Sequence, residues 1–307
     1  MMRGCPKHLP FAKILAAILA AVLPLASSAA FAGMEMASPA PNAGKIIVTL
    51  KTMPQRLAAG QPAALLVSIT GPEGKPVTGL TLMHERIMHV VITGQDFSTF
   101  AHIHPEDFTR LSPEVIKKAK FRLEYTFPRG GRYLIGTDFA VKGRMVSRHF
   151  IVQAAGKPEM GPPKADLSLK KRSDGYDITL SPLNGPVTAG KKAYMSYLIY
   201  RNGKPVTDME PYLGALMHIA IISADLKYYA HVHGEMPAYE RKMHKIRPPG
   251  PMMGMTDMGD MHMKTPPRFG PEIGFHYVFP AKGLYQIFSQ FERRGKVVLT
   301  SFMVEAR

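Results

Sequence analysis

From residue 45 onward the chain alternates apolar and polar positions with a period of two, in short runs separated by Gly, Pro and Asn. β-Branched and aromatic residues dominate Lys45 to Leu50, Ala64 to Thr70, Met88 to Thr93, Phe121 to Phe127, Arg132 to Phe139 and Val146 to Val152. Side chains two apart share a face of a strand, so each run predicts a strand with one face on a core. Such runs, spread over about 110 residues, predict an all-β, immunoglobulin-like antiparallel sandwich. One short helix is predicted at Ser112-Pro113-Glu114, where an N-cap serine precedes a proline at the first helical position.

The pattern then returns. Gly74-Lys75-Pro76-Val77-Thr78 recurs as Gly203-Lys204-Pro205-Val206-Thr207, an offset of 129 residues that also carries Met88-His89 onto Met217-His218 and Ala101-His102-Ile103-His104 onto Ala230-His231-Val232-His233. A second block, offset by 152, carries Phe127-Pro128 onto Phe279-Pro280, Tyr133 onto Tyr285 and Phe150 onto Phe302, so 23 extra residues lie in the second copy. Self-similarity of this kind marks a duplicated unit. The expected organisation is a first sandwich over 45–153, a Gly/Pro-rich linker over 154–165 and a second sandwich over 166–307, interrupted by an insertion at about 235–271.

Ahead of the sandwiches, Arg3, Lys7 and Lys13 precede the apolar run Ile14 to Ala26 and the small-residue end Ala30-Phe31-Ala32. This reads as a secretory signal peptide over 1–32, with 33–44 as the mature N-terminal segment and a periplasmic or secreted destination. The one cysteine, Cys5, leaves with that peptide, so the mature chain has no disulfide and must rely on packed cores. The net charge of +16 stays strongly positive without the leader. Its basic clusters, such as Lys170-Lys171-Arg172 and Arg293-Arg294, lack the interleaved aromatics of a nucleic-acid platform. They read as solvated surface able to touch an anionic surface peripherally, and nucleic acid is not an expected partner.

The candidate chemistry is histidine. His102 and His104 project from one strand face, and a hairpin centred between Asp96 and Phe97 would set His89 opposite His104 and Val91 opposite His102. Three imidazoles on one face, reproduced as His218, His231 and His233, can converge on a metal ion at roughly 2 Å. The opposite face, with Met88, Val90 and Ile92 or Met217, Ile219 and Ile221, is the predicted core, which makes both methionines packers rather than ligands. By the same parity Glu106 and Glu235 are candidates for a fourth ligand or for an acceptor that orients an imidazole. His84, His149 and His276 have no counterpart in the other repeat and receive no role.

Three imidazoles suit Cu²⁺ and Zn²⁺ equally well by ligand softness. The insertion tilts the reading to copper, because it supplies Met252, Met253, Met255, Met258, Met261, His262 and Met263 between prolines. Thioethers are soft, uncharged ligands that suit Cu⁺, and zinc has no comparable use for them. Met34 and Met36 could add to such a soft site.

Pro211-Tyr212-Leu213-Gly214-Ala215-Leu216-Met217-His218, followed by Asp225-Leu226 and Tyr229-Ala230-His231-Val232-His233, resembles a family of exported bacterial β-sandwich proteins that often accompany copper-handling and heavy-metal-binding components. That resemblance implies a metal-binding β-sandwich with another copper-handling protein as a partner. The chain departs from the family pattern at Met217, where a small residue is expected, and in the Met-rich insertion. The expected function is therefore copper buffering, delivery or resistance, with zinc as the alternative ion. Two other classes stay open: a copper- or zinc-dependent enzyme at an open three-histidine site, and a metal-independent immunoglobulin-like interaction module. No serine or cysteine triad, P-loop or dinucleotide motif favours the enzyme.

Overall fold

The computed structural model describes residues 46–157, 165–237 and 265–307. The expected signal peptide, Met34, Met36, most of the linker and all of 252–263 lie outside the described residues. Repeat one contains β1 (Ile47–Met53), β2 (Leu57–Ala58), β3 (Pro62–Thr70), β4 (Leu80–Thr81), β5 (Met88–Gly94), β6 (Phe100–Ile103), a 3-10 turn (Pro105–Asp107), α1 (Pro113–Lys118), β7 (Lys120–Thr126), β8 (Gly131–Val141) and β9 (Arg144–Ala155). Repeat two contains β10 (Lys170–Ser173), β11 (Tyr176–Pro182), β12 (Lys192–Arg201), β13 (Lys204–Pro205), β14 (His218–Ser223), β15 (Tyr229–His233), β16 (Glu272–Val278), β17 (Gly283–Arg293) and β18 (Lys296–Ala306). Among these residues no helix is long and apolar enough to cross a membrane.

Each repeat is a two-layer, immunoglobulin-like sandwich. In the first, the sheet β1-β3-β7 faces the sheet β2-β9-β8-β5-β6, to which β4 adds at β8. In the second, β10-β11-β12-β13, with β16 on β12, faces β15-β14-β17-β18. Between the layers lie Leu65, Val67, Met88, Val90, Ile92, Leu123 and Ile135 in repeat one, and Met195, Tyr197, Met217, Ile219, Ile221, Phe275 and Ile287 in repeat two. The predicted core face is therefore the real one, with both methionines fully buried in it. Ser112 caps α1 by accepting a hydrogen bond from Val115 N. Tyr133 and Tyr285, each near the start of a strand, donate through their hydroxyls to Arg129 O and Ala281 O at 2.9 Å, the tyrosine-corner device of immunoglobulin-like sandwiches, present once in each copy.

The boundaries differ from expectation at two places. β9 continues to Ala155, with Ala154 and Ala155 pairing in parallel with Leu57 and Ala58, so the linker cannot begin at 154. The ends of the insertion are also tied into the sandwich: Glu235 bridges Gly274, and Phe269 is buried and bridges Met209. Backbone pairing, which composition does not report, sets both limits.

The outer face of a sandwich normally meets water. Here the sheet β9-β8-β5-β6 lays that face against β15-β14-β17-β18, and both repeats belong to one compact unit. Val91, Phe97, Leu134, Ala220, Ile222, Leu226, Tyr229, Phe288 and Met303 form a third apolar core drawn from both copies. Phe100 of one repeat stacks on Phe288 of the other, centroid to centroid 4.5 Å. Tyr229, the counterpart of Phe100, enters the space above Gly136, where a Cβ would lie 2.2 Å from the ring. Both faces of β5 and β14 are therefore covered, which is why Met88–Gly94 and His218–Ser223 are buried at every position.

Candidate metal centre

At one end of this inter-repeat core the two histidine sets meet. In the first hairpin Val91 pairs with His102, which places His89, His102 and His104 on the same side. In the second, His218 pairs with His233 and Ala220 with His231. Convergence of each triad on one face is thus a direct result of the strand period.

Which nitrogen of each ring faces inward is fixed by what its other nitrogen holds. Ahead of β5, His84 and Glu85 sit at φ 47° and 64° in a tight turn closed by a Met83–Arg86 bridge, and the turn presents Met83 O to His89 Nε2–H at 2.9 Å. Leu213 and Gly214 make the same turn in repeat two, at φ 49° and 75°, and Tyr212 O accepts from His218 Nε2–H at 3.0 Å. His104 Nδ1–H donates to Asp107 Oδ2 at 3.1 Å, and His102 Nδ1–H donates to Gln290 Oε1 at 2.9 Å.

With those protons placed outward, the lone pairs of His89 Nδ1, His102 Nε2 and His104 Nε2 point at one another. They are 3.0, 3.2 and 3.3 Å apart. Three acceptors in contact with no shared proton repel. A tetrahedral ion at about 2.0 Å from each would need separations of about 3.3 Å, so the triangle fits a metal. In repeat two, His218 Nδ1 and His231 Nε2 are 3.2 Å apart, and His233 Nε2 is buried without a hydrogen-bond partner. Across the boundary, nitrogens of His89, His102, His218 and His231 all lie within 4.8 Å of one another.

The centre is held uncharged. Burial, followed by the neighbouring imidazoles, lowers His89 and His104 to about 2. Burial also lowers His102 and His231 to about 3, and takes His218 and His233 well below the ordinary histidine value. Metal therefore faces little competition from protons. His102 and His233 keep partial solvent contact, which leaves a way in.

Each repeat also sets a polar group beside a histidine of the other. Asp138 on β8 and Gln290 on β17 are equivalent positions, paired with His89 and His218 respectively. Gln290 anchors His102 of the other copy, and Asp138 Oδ2 lies 3.5 Å from His231 Nδ1 of the other copy. Asp138 is fully buried, also accepts from the Tyr229 hydroxyl, and has its carboxyl raised to about 6, chiefly by burial.

Glu106 and Glu235 do not join the converging nitrogens. After His104 the chain enters the 3-10 turn, so the period of two ends and Glu106 turns back to accept from Ile87 N at 2.7 Å. Glu235 lies beyond the end of β15 and pairs with His276 Nδ1 at 2.7 Å. Asp107 takes the orienting role expected of Glu106. His84 has no counterpart in the other repeat, yet its ring lies 3.8 Å from that of His233, centroid to centroid, and covers the second triad. No repeat signal marks it, because Leu213 occupies its equivalent. Met88 and Met217 stay core: alanine at either should cost about 2–5 kcal/mol of stability in chemical denaturation while leaving metal stoichiometry unchanged.

The model of a family described as a domain of unknown function, DUF8832, matches residues 42–156 and matches again over 171–307. The chain belongs to the DUF8832 family. It carries one DUF8832 copy in each sandwich, and the centre lies between the two copies. No curated protein matches the sequence. Among solved structures, the chain is similar to the Escherichia coli adhesin FdeC, at 10% identity over 88% of this chain and 67% of that one, with a TM-score of 0.25. It is also similar to the FN1–FN3 domains of chicken CNTN1, at 9% identity over 90% and 67% with a TM-score of 0.22. Salmonella alpha-2-macroglobulin gives 8% identity over 87% of this chain and 17% of that one, with a TM-score of 0.27.

Proposed function

We propose that this is an exported copper-binding protein that holds Cu⁺ or Cu²⁺ between its two sandwiches and buffers or delivers it. The observation that carries the reading is the first triad: three neutral imidazole nitrogens at 3.0–3.3 Å whose outward N–H groups are already satisfied. Six imidazoles held neutral by burial give a borderline donor set that suits copper. A monovalent ion adds least charge to a site this buried, which favours the cuprous state. The methionines of 252–263 would supply a second, softer set for loading or release, and the basic, apolar start of the chain is consistent with export. Zinc fits the imidazoles but leaves the methionines without a use.

The test is copper uptake by the purified chain, with elemental analysis of protein from its native compartment before and after deletion of 252–263. Replacing His89, His102 and His104 together by alanine, or His218, His231 and His233 together, should weaken copper binding at the altered triad at least 100-fold. Variants that bind like the parent, or a parent that takes up neither Cu⁺ nor Cu²⁺, would refute it.

A further inference from the structure

We infer that the centre is dinuclear, one ion in each triad. The inference rests on the metal-binding reading above and concerns how many ions the site takes.

The central group of His89, His102, His218 and His231 could by itself enclose a single ion. What it leaves over decides against that. His104 is buried, its Nδ1–H is committed to Asp107, and its remaining nitrogen points at His89 and His102 at 3.2 and 3.3 Å. His233 Nε2 is a buried nitrogen with no partner. One ion centred among the four would strand both lone pairs in the interior, each at the cost of an unsatisfied buried acceptor. One ion per triad engages all six nitrogens. The two ions would then lie a few ångströms apart, in the range of two-metal sites, roughly 3.5–4 Å.

Each triad also has a partner in the opposite repeat: Gln290 accepts from His102, and Asp138, buried among Tyr229, His149 and His89, faces His231 at 3.5 Å, while Asp107 backs His104 from within its own repeat. A carboxylate behind an imidazole makes it a stronger donor and offsets the charge of the ion, and loss of such a partner typically lowers affinity 10- to 100-fold. Gln290 and Asp138 come from the opposite repeat, so binding at either triad also fastens the two sandwiches together.

The test is Co²⁺ titration of the full chain, because thioethers are poor ligands for that ion and its visible bands report each filled site. Two equivalents should bind. His104→Ala and His233→Ala should each remove one equivalent, and Asp138→Asn should weaken the equivalent held by His218, His231 and His233 10- to 100-fold while Gln290→Leu affects only the other. One equivalent, untouched by His104→Ala and His233→Ala, would overturn the dinuclear centre while leaving a single copper site intact. Failure to bind Co²⁺ also counts against it, whereas the copper reading stands or falls on copper uptake. Two equivalents indifferent to both Asp138→Asn and Gln290→Leu would overturn the support that each repeat lends the other's triad. Circular dichroism of the variants separates loss of a ligand from loss of the fold.

Discussion

Acidifying the metal-free protein from pH 7 to pH 5 should unfold it or strip most of its stability, and metal should prevent this. In the unfolded chain each histidine titrates near 6.5, whereas in the folded chain burial lowers His89 and His104 to about 2 and His102 and His231 to about 3. Below 6.5 the unfolded state therefore binds more protons than the folded state. Stability is full above that value and falls as pH drops toward the folded pKa. Between pH 7 and pH 5 each of these groups removes about 2 kcal/mol. Asp138, raised to about 6, acts in the opposite sense by about 1 kcal/mol over the same window. Four histidines together approach the whole stability of a domain, about 5–15 kcal/mol. An ion bound only by the folded state adds stability that grows with the logarithm of its free concentration relative to Kd. Thermal unfolding followed across pH, with and without copper, checks both halves, and a flat melting temperature from pH 7 to 5 in the apo-protein would contradict the buried neutral cluster.

Gly136→Val should separate the two sandwiches and weaken the metal site without touching a ligand. Any Cβ at this position would stand 2.2 Å from Cζ of Tyr229 and 2.5 and 2.6 Å from its Cε atoms. The ring cannot slide aside cheaply, because Tyr229 is fully buried in the third core and its hydroxyl is held by Asp138. Moving it frees Asp138 from Tyr229 and shifts the carboxyl that faces His231. Overpacking of this kind typically costs about 1–3 kcal/mol, and loss of the buried hydrogen bond adds about 1–3 kcal/mol. Denaturant unfolding should show that loss, and metal affinity of the second triad should fall at least tenfold. Unchanged stability in Gly136→Val would mean that the sheets do not meet as described.

Much of the local architecture was readable in advance. The period of two located the strands and the core face, the Ser112-Pro113 pair located α1, and the 129-residue offset made the duplication explicit. The pairing of Val91 with His102 also followed from the hairpin length. The misses share a cause. The expectation for Glu106 and Glu235 carries strand parity past the last strand residue, where a 3-10 turn and a strand end cancel it. His84 and Asp107 act through turns, whose side-chain directions no simple period describes. Met88–Thr93 and Ile219–Ile222 did carry a signal for the covered outer face: almost every position is apolar, as in strands buried on both sides, where a solvent-facing sheet would alternate.

By itself, then, the sequence determined that three imidazoles stand on one face of each sandwich, because alternation along a strand is a local property of the backbone. That the two faces meet was a matter for the tertiary structure alone. It depends on shape matched between residues far apart in the chain: the space over Gly136 that admits Tyr229, and Phe100 lying on Phe288. The same contact brings Asp138 and Gln290 behind histidines of the opposite repeat, with His89, His104, His218 and His231 buried. Two separate sets of surface histidines thereby become one buried, neutral group of donors between the sandwiches.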